Sequence, residues 1–312
     1  MFCKNCGQKI NIGIGKKFCK NCGEEIKFER IAILKEKSLD WFKDNHKFLL
    51  ISLGIVIFIS ALVIYDEFSN TNTSSNYSNS QSISYDQNEI AASVVNILCP
   101  STVSEEESSG GSGTIITEDG IILTNSHIIP QDDTNLHVDE TGCLVVLPDP
   151  VTGQAREMYW AHPIVLPDVS DKYDLAFMQI YSAYYDEETG EYGGVYPTKF
   201  PSFDDTTRCN SVDIQLGEPV RIFGYPAISG GYSLTITDGV VSSFPGDDLI
   251  VTSAKISHGN SGGLAIDRYG CMLGVPSMVS SDESESLGVI ISMNLVHDFG
   301  SEVEAYLNNE NQ

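Results

Sequence analysis

An all-β fold, a sandwich or barrel built from many short strands, is predicted for most of this chain. Three observations predict it. From Glu89 onward, apolar runs of four to six residues recur between Gly, Pro and Asp turns, at 113–116, 120–124, 144–147, 175–180, 219–223, 234–237, 239–242, 249–252, 263–266, 271–276 and 288–292. Asp119-Gly120 lies between two such runs, which is a hairpin signal. Helical periodicity in this region is confined to about 295–307, where Leu295, Phe299, Val303, Tyr306 and Leu307 share one face.

The elements before Glu89 are of another kind. Residues 1–27 carry Cys3-Lys4-Asn5-Cys6-Gly7 and Cys19-Lys20-Asn21-Cys22-Gly23, with twelve residues between the pairs. Four thiolates in two chelating pairs suit structural tetrahedral Zn²⁺, and so short a segment could hardly fold without metal. The rival, a redox CxxC, lacks a surrounding βαβ pattern. The segment resembles the zinc-ribbon modules at the N-termini of many prokaryotic membrane proteins. Residues 28–47 read as a charged juxtamembrane helix.

Residues 48–65, FLLISLGIVIFISALVIY, are eighteen residues without a charge. As a helix they are roughly 27 Å long, close to a bilayer's hydrocarbon thickness. A core helix would keep its apolar residues to one stripe, whereas here they occupy every face. A cleaved signal peptide is the other alternative, but a cysteine-bearing unit precedes the run and no small-x-small cleavage site follows it. A transmembrane helix is therefore expected. Residues 66–88, rich in Ser and Asn, read as an external linker, and 89–312 as the main domain.

Charge divides the same way. Residues 1–47 carry eleven Lys/Arg against six Asp/Glu, and residues 65–312 seven against 37. Lys35, Lys37, Lys43 and Lys47 precede the span, and no Lys or Arg follows it until Arg156. The expected topology is single-pass, with the N-terminus cytoplasmic and the acidic bulk extracytoplasmic. Nucleic acid is excluded as a partner of that acidic part, which lacks the clustered cations that phosphate binding needs. An assembly of identical copies is compatible with the sequence. Cys99, Cys143, Cys209 and Cys271 are scattered through the acidic part. In an oxidising space they could form two disulfides in three connectivities, the alternative being four small buried apolar residues. The acidic, tyrosine-rich stretch 184–196 reads most simply as a solvated loop between two halves.

Three motifs carry chemistry. In Gly259-Asn260-Ser261-Gly262-Gly263 the glycines let the backbone turn tightly and leave a hydroxyl unshielded, with the Gly259 and Ser261 N–H groups available to an oxyanion. An ordinary glycine-rich turn is the plain alternative. His127 follows the apolar run 121–124, and a neutral imidazole is suited to take a serine proton and return it. Asp174 heads Leu175-Ala176-Phe177-Met178, so its carboxylate needs a hydrogen-bonded partner, which a histidine Nδ1–H can be. Asp171 is the competing carboxylate, without an apolar strand directly after it. The order His…Asp…Ser is one of the few known for a nucleophilic serine triad.

Together these elements resemble the trypsin-like serine proteases, and within them the HtrA/Deg branch. The segments that carry the resemblance are SGGSGTIITEDGIILTNSHII (109–129), YDLAFMQI (173–180), LGEPVRIFGYP (216–226), ITDGVVSS (236–243), LIVTSAKISHGNSGGLAI (249–266) and LGVIISMNLV (287–296). The resemblance implies two six-stranded antiparallel β-barrels, about 89–200 and 201–294, with the C-terminal helix after them. It also implies a catalytic triad of His127, Asp174 and Ser261 in the cleft and an oxyanion hole from the Gly259 and Ser261 amides. No cofactor is implied for catalysis, and the implied substrates are proteins or peptides. Two departures stand out. Gly262-Gly263-Leu264-Ala265 replaces the family's usual Gly-Gly-Pro-Leu, and Lys255 takes the place of the specificity-pocket floor, where a buried lysine would favour acidic side chains, the alternative being a side chain that points to solvent. The sequence ends after the helix that leads, in many relatives, into a PDZ domain, so PDZ regulation is not expected. A catalytically inactive, protease-like peptide-binding module is the alternative function.

Overall fold

In a computed structural model of the protein, the described residues are 85–310 apart from 105–107, 132–135, 140, 165–166, 187–188, 204–213 and 278–286. The expected zinc ribbon, juxtamembrane helix and transmembrane span, and Cys209, lie outside them. Among the described residues no helix is long and apolar enough to cross a membrane.

The fold is two closed six-stranded antiparallel barrels and a C-terminal helix. The first barrel comprises β1 (Val94–Cys99), β2 (Ser109–Ile115), β3 (Ile121–Thr124), β4 (Cys143–Pro148), β5 (Ala155–Ile164) and β6 (Ala176–Ala183), in the order β1-β2-β3-β6-β5-β4. A small hairpin follows, β7 (Tyr185–Asp186) and β8 (Glu191–Tyr192). The second barrel comprises β9 (Pro219–Gly224), β10 (Thr235–Ser243), β11 (Leu249–Thr252), β12 (Leu264–Ile266), β13 (Met272–Ser277) and β14 (Gly288–Ser292), in the order β10-β11-β14-β13-β12-β9. Closure leaves neither barrel an open edge, which removes the liability of unpaired strand N–H and C=O groups.

Strand residues alternate between barrel interior and exterior, as the two-residue period of a strand requires. Val95, Ile97 and Cys99 of β1 enter the first core with Ile122, Val145, Tyr159 and Met178. Asn96 of the same strand faces out and donates from Nδ2 to Gly231 O at 2.7 Å. Val220 and Ile222 of β9 enter the second core with Val241, Ala265, Leu273 and Ile290. Two short helices flank the first barrel. In α1 (Gln87–Ser93) the Asp86 side chain caps the N-terminus by accepting from Asn88 N–H. The other, α2 (Pro167–Tyr173), leads directly into Asp174.

The terminal helix α3 (Met293–Glu310) is longer than its expected 295–307, and Val296, Phe299 and Val303 form its buried face while Tyr306 is exposed. Phe299 packs on Tyr173 and Phe177, and Glu302 pairs with Lys172 and accepts from the Tyr173 hydroxyl. The hydrogen bond from Lys172 holds the Glu302 carboxyl below its usual range. This helix thereby buttresses the segment that ends at Asp174.

The structure refines two readings of the sequence. The stretch 184–196 is mostly exposed where described, as a solvated segment would be, but it carries the pair β7 and β8 and is anchored on barrel one: Tyr184 packs on Trp160, and Tyr196 on Tyr159 and Phe200. Of the two alternatives for the scattered cysteines, the structure shows disulfide bonding. Cys99 and Cys143 are joined across β1 and β4, and Cys271 is also disulfide-bonded. The register sets the first pair, since Ile97 faces Val145 and Leu98 faces Leu144 on these strands. The bond closes a sequence separation of 44 residues, for which a disulfide contributes about 2–4 kcal/mol. Replacing Cys99 and Cys143 by alanine is therefore expected to lower the melting temperature by about 5–15 °C, measured by calorimetry. A midpoint that stays at the wild-type value would contradict it.

Candidate active site

His127 sits in the short 3₁₀ turn Ser126–Ile128, immediately beyond β3. Its Nδ1 lies 2.8 Å from Asp174 Oδ1 and 3.0 Å from Oδ2, and its backbone N–H donates to Oδ1 at 3.2 Å. The two side chains are 45% and 34% exposed, so they line an open surface of the barrel. Asp174 is the only non-glycine among the described residues with a positive φ, at 52°. Aspartate tolerates this left-handed backbone better than most residues. Its carbonyl is held by Asn125 Nδ2 at 2.7 Å, and its Oδ2 accepts from the Ser277 hydroxyl at 2.9 Å.

Ser261 comes from the other barrel, in the tight turn before β12, and is buried. Gly259 and Gly262, at φ 93° and 81°, give that turn a shape closed to L side chains. Gly262 is also packed too closely for any side chain: a Cβ there would lie 2.2 Å from Ser112 O, 2.3 Å from Thr124 Oγ1 and 3.1 Å from Asn125 N. The serine turn thus abuts the strand end that carries His127. Gly111 gives a second fix, since its Cβ position is 2.9 Å from Ile128 Cγ2 and 3.0 Å from Ser261 O. The residue after the histidine and the serine backbone converge there.

Ser112 of β2 is the pin between the barrels. Its N–H donates to Ser261 O at 2.8 Å, its hydroxyl donates to Gly259 O at 2.6 Å, and that hydroxyl accepts from Tyr225 N–H at 2.9 Å. Tyr225 in turn donates its phenol to Val94 O at 3.1 Å. Burial pushes that phenol's pKa up, so it remains a donor at any ordinary pH. The His258 carbonyl accepts from Ala227 N–H at 2.8 Å. Because the 258–259 peptide is planar and trans, the Gly259 N–H points the opposite way.

The structure thus brings the His127 ring onto the Asp174 carboxylate and the Ser261 turn onto the same strand end. Asp171 stays within α2, and none of the donors on His127 described above involves it. Lys255 is exposed, with its carbonyl accepting from Thr237 Oγ1 at 2.9 Å. It therefore makes no buried pocket floor, because a long ammonium stem gains by reaching water. Its neighbour Ile256 turns inward instead: its Cδ1 and Cγ1 lie 2.6 Å from the Cβ position of Gly288, and it packs on the second core. Sequence reasoning also missed Ser112 and Ser277, whose hydroxyls matter through contacts between barrels. Ser112 lies inside the Gly-rich segment that carried the resemblance, a signal that could have singled it out.

A family model described as a trypsin-like peptidase domain matches residues 111–275, just over half of the chain. A probable periplasmic serine endoprotease, DegP-like, of Brucella suis biovar 1 (strain 1330) is 27% identical over 193 residues, covering 59% of this chain and 30% of that protein. Mouse serine protease HTRA4 is 30% identical over 206 residues, covering 61% and 35%. The chain spans about a third of the length of these curated relatives. A crystal structure of the serine endoprotease from Yersinia pestis aligns with a TM-score of 0.49 at 23% identity, over 69% of this chain and 65% of that one. With the match to the family model covering both the His127 and the Ser261 frames, the chain belongs to the trypsin-like peptidase family.

Proposed function

We propose that this protein is a membrane-anchored serine endopeptidase of the HtrA/Deg type, cleaving extracytoplasmic proteins through His127, Asp174 and Ser261. The observation that carries the proposal is the double contact of His127 Nδ1 with both Asp174 oxygens, beside a serine turn shaped by two positive-φ glycines. The Ser261 hydroxyl attacks the scissile carbonyl as His127 Nε2 takes its proton. Asp174 keeps the proton on Nδ1 in the resting ring and stabilises the imidazolium. The Gly259 and Ser261 N–H groups receive the oxyanion. The imidazolium then protonates the leaving amine, and water, activated by the same ring, hydrolyses the acyl-enzyme to regenerate Ser261.

The disulfide between Cys99 and Cys143 supports an oxidising, extracytoplasmic location. Five of the relatives are named as probable periplasmic serine endoproteases, DegP-like, which supports the same reading. The apolar run 48–65 would supply the anchor, and the thiolates of Cys3, Cys6, Cys19 and Cys22 a structural Zn²⁺ ribbon on the cytoplasmic side.

We assign Ile256, which lies over Gly288, to the wall of the cleaved residue's pocket beside Lys255, which would favour an apolar residue there over an acidic one. A panel of peptides differing only at that position tests both levels of the proposal. Valine, isoleucine or alanine should be cleaved about tenfold or more faster than glutamate or aspartate, since desolvating a charge against an aliphatic wall is unfavourable. A preference for acidic residues would sink the role of Ile256. Cleavage of no peptide at all would sink the endopeptidase.

A further inference from the structure

We infer that Ser126 is a positioning residue: its hydroxyl and that of Ser277 clamp the two oxygens of the Asp174 carboxylate and fix the plane presented to His127. This deepens the triad reading above and rests on it. A carboxylate rotates easily about its Cβ–Cγ bond, whose torsion is broad. A single contact to an imidazole would leave that rotation loose. Here Oδ2 accepts from Ser277 Oγ at 2.9 Å, and Oδ1 lies 3.3 Å from Ser126 Oγ. Ser277 ends β13 in the second barrel and Ser126 belongs to the 3₁₀ turn of the first, so the clamp is anchored on both sides of the cleft.

Both hydroxyls are buried, at 3% exposure for Ser126 and 2% for Ser277, which keeps bulk water from replacing them. Ser126 has one proton and two acceptors within reach, Asp174 Oδ1 and Ser170 O at 3.2 Å. The Ser170 carbonyl already accepts from Leu175 N–H at 3.2 Å. The carboxylate, being charged, is the stronger acceptor, so the Ser126 proton is directed to Oδ1. Three successive residues then grip one aspartate: Asn125 its carbonyl, Ser126 its Oδ1, and His127 both oxygens. The near-equal 2.8 and 3.0 Å separations of Nδ1 from the two oxygens are what a pinned carboxylate plane produces.

The test uses the full-length chain with Ser126→Ala and Ser126→Cys, which both remove a strong donor while the second keeps the volume. Two quantities are read: kcat and KM on a cleaved peptide, and the low-field proton resonance of the His127 Nδ1–H in protein with ¹⁵N-labelled histidine. Both variants should lose about tenfold in kcat, equivalent to about 1.4 kcal/mol, with KM within about twofold of wild type, and both should move the resonance. A merely structural serine would lower the melting temperature and leave kcat and the resonance of folded protein in place, which would overturn the inference. Should the alanine variant not fold, the cysteine variant decides alone, and wild-type kcat with an unmoved resonance overturns the clamp. If the wild type cleaves nothing, the triad reading fails by itself. The resonance, which needs no turnover, still upholds or rejects the clamp.

Discussion

Replacing Ser261 by alanine is expected to lower kcat for peptide hydrolysis by about 10⁶, with binding little changed, and His127→Ala should do nearly as much. The size follows from the division of labour in the site. In the proposed mechanism Ser261 forms the covalent bond and His127 moves the proton, so either loss would leave only the oxyanion donors and substrate binding. Those retain about 10³–10⁴ over the uncatalysed reaction. The substituted serine is buried in a turn whose shape is set by Gly259 and Gly262 rather than by its own side chain, so the variant should fold like the wild type. A fluorophosphonate probe gives the complementary reading: the wild type labels at Ser261 and the alanine variant does not. Residual activity of S261A above about one per cent would place the nucleophile elsewhere. A wild type that never labels would favour a protein that only holds peptides in its cleft.

Asp174→Asn is expected to reduce kcat by about 10⁴ at neutral pH. Every group arranged around this carboxylate is a donor: the His127 backbone N–H and ring Nδ1–H, and the hydroxyls of Ser126 and Ser277. An amide can accept at only one of its two ends. Whichever way it is turned, an NH₂ group would face either the hydroxyl of Ser277 or the cluster at Oδ1. The imidazole would be pushed toward the tautomer with its proton on Nε2, where it cannot take one from Ser261. Steady-state kinetics on the purified variant measure the loss, and a fall of less than tenfold would remove Asp174 from the reaction.

Much of this was legible in the sequence because it is local. The glycines around Ser261, the strand before His127 and the apolar run after Asp174 are each a property of consecutive residues, and the structure puts all three frames at one seam. What escaped is set by register and by side-chain direction. Cys99 meets Cys143 because β1 pairs with β4, strands far apart in the chain. Ser112 and Ser277 matter only through the partners that barrel closure brings to them. Counting back from Ser261 singled out Lys255, but along a loop the count does not say which side chain turns inward, and Ile256 does. The strands β1 and β5 were not singled out either. The first follows directly on a helix, and the second opens with Ala-Arg-Glu, which masks its later alternation.

The division of the site between barrels has a consequence for control. Ser112 rivets the seam, with Ser261 on one side of it and His127 on the other. Turnover in such an arrangement gauges the fit of the two halves, since a misplacement of about one ångström costs about 10² in rate. A wedge inserted at the rivet would silence the enzyme without approaching the nucleophile, and a brace across the same line would hold it switched on.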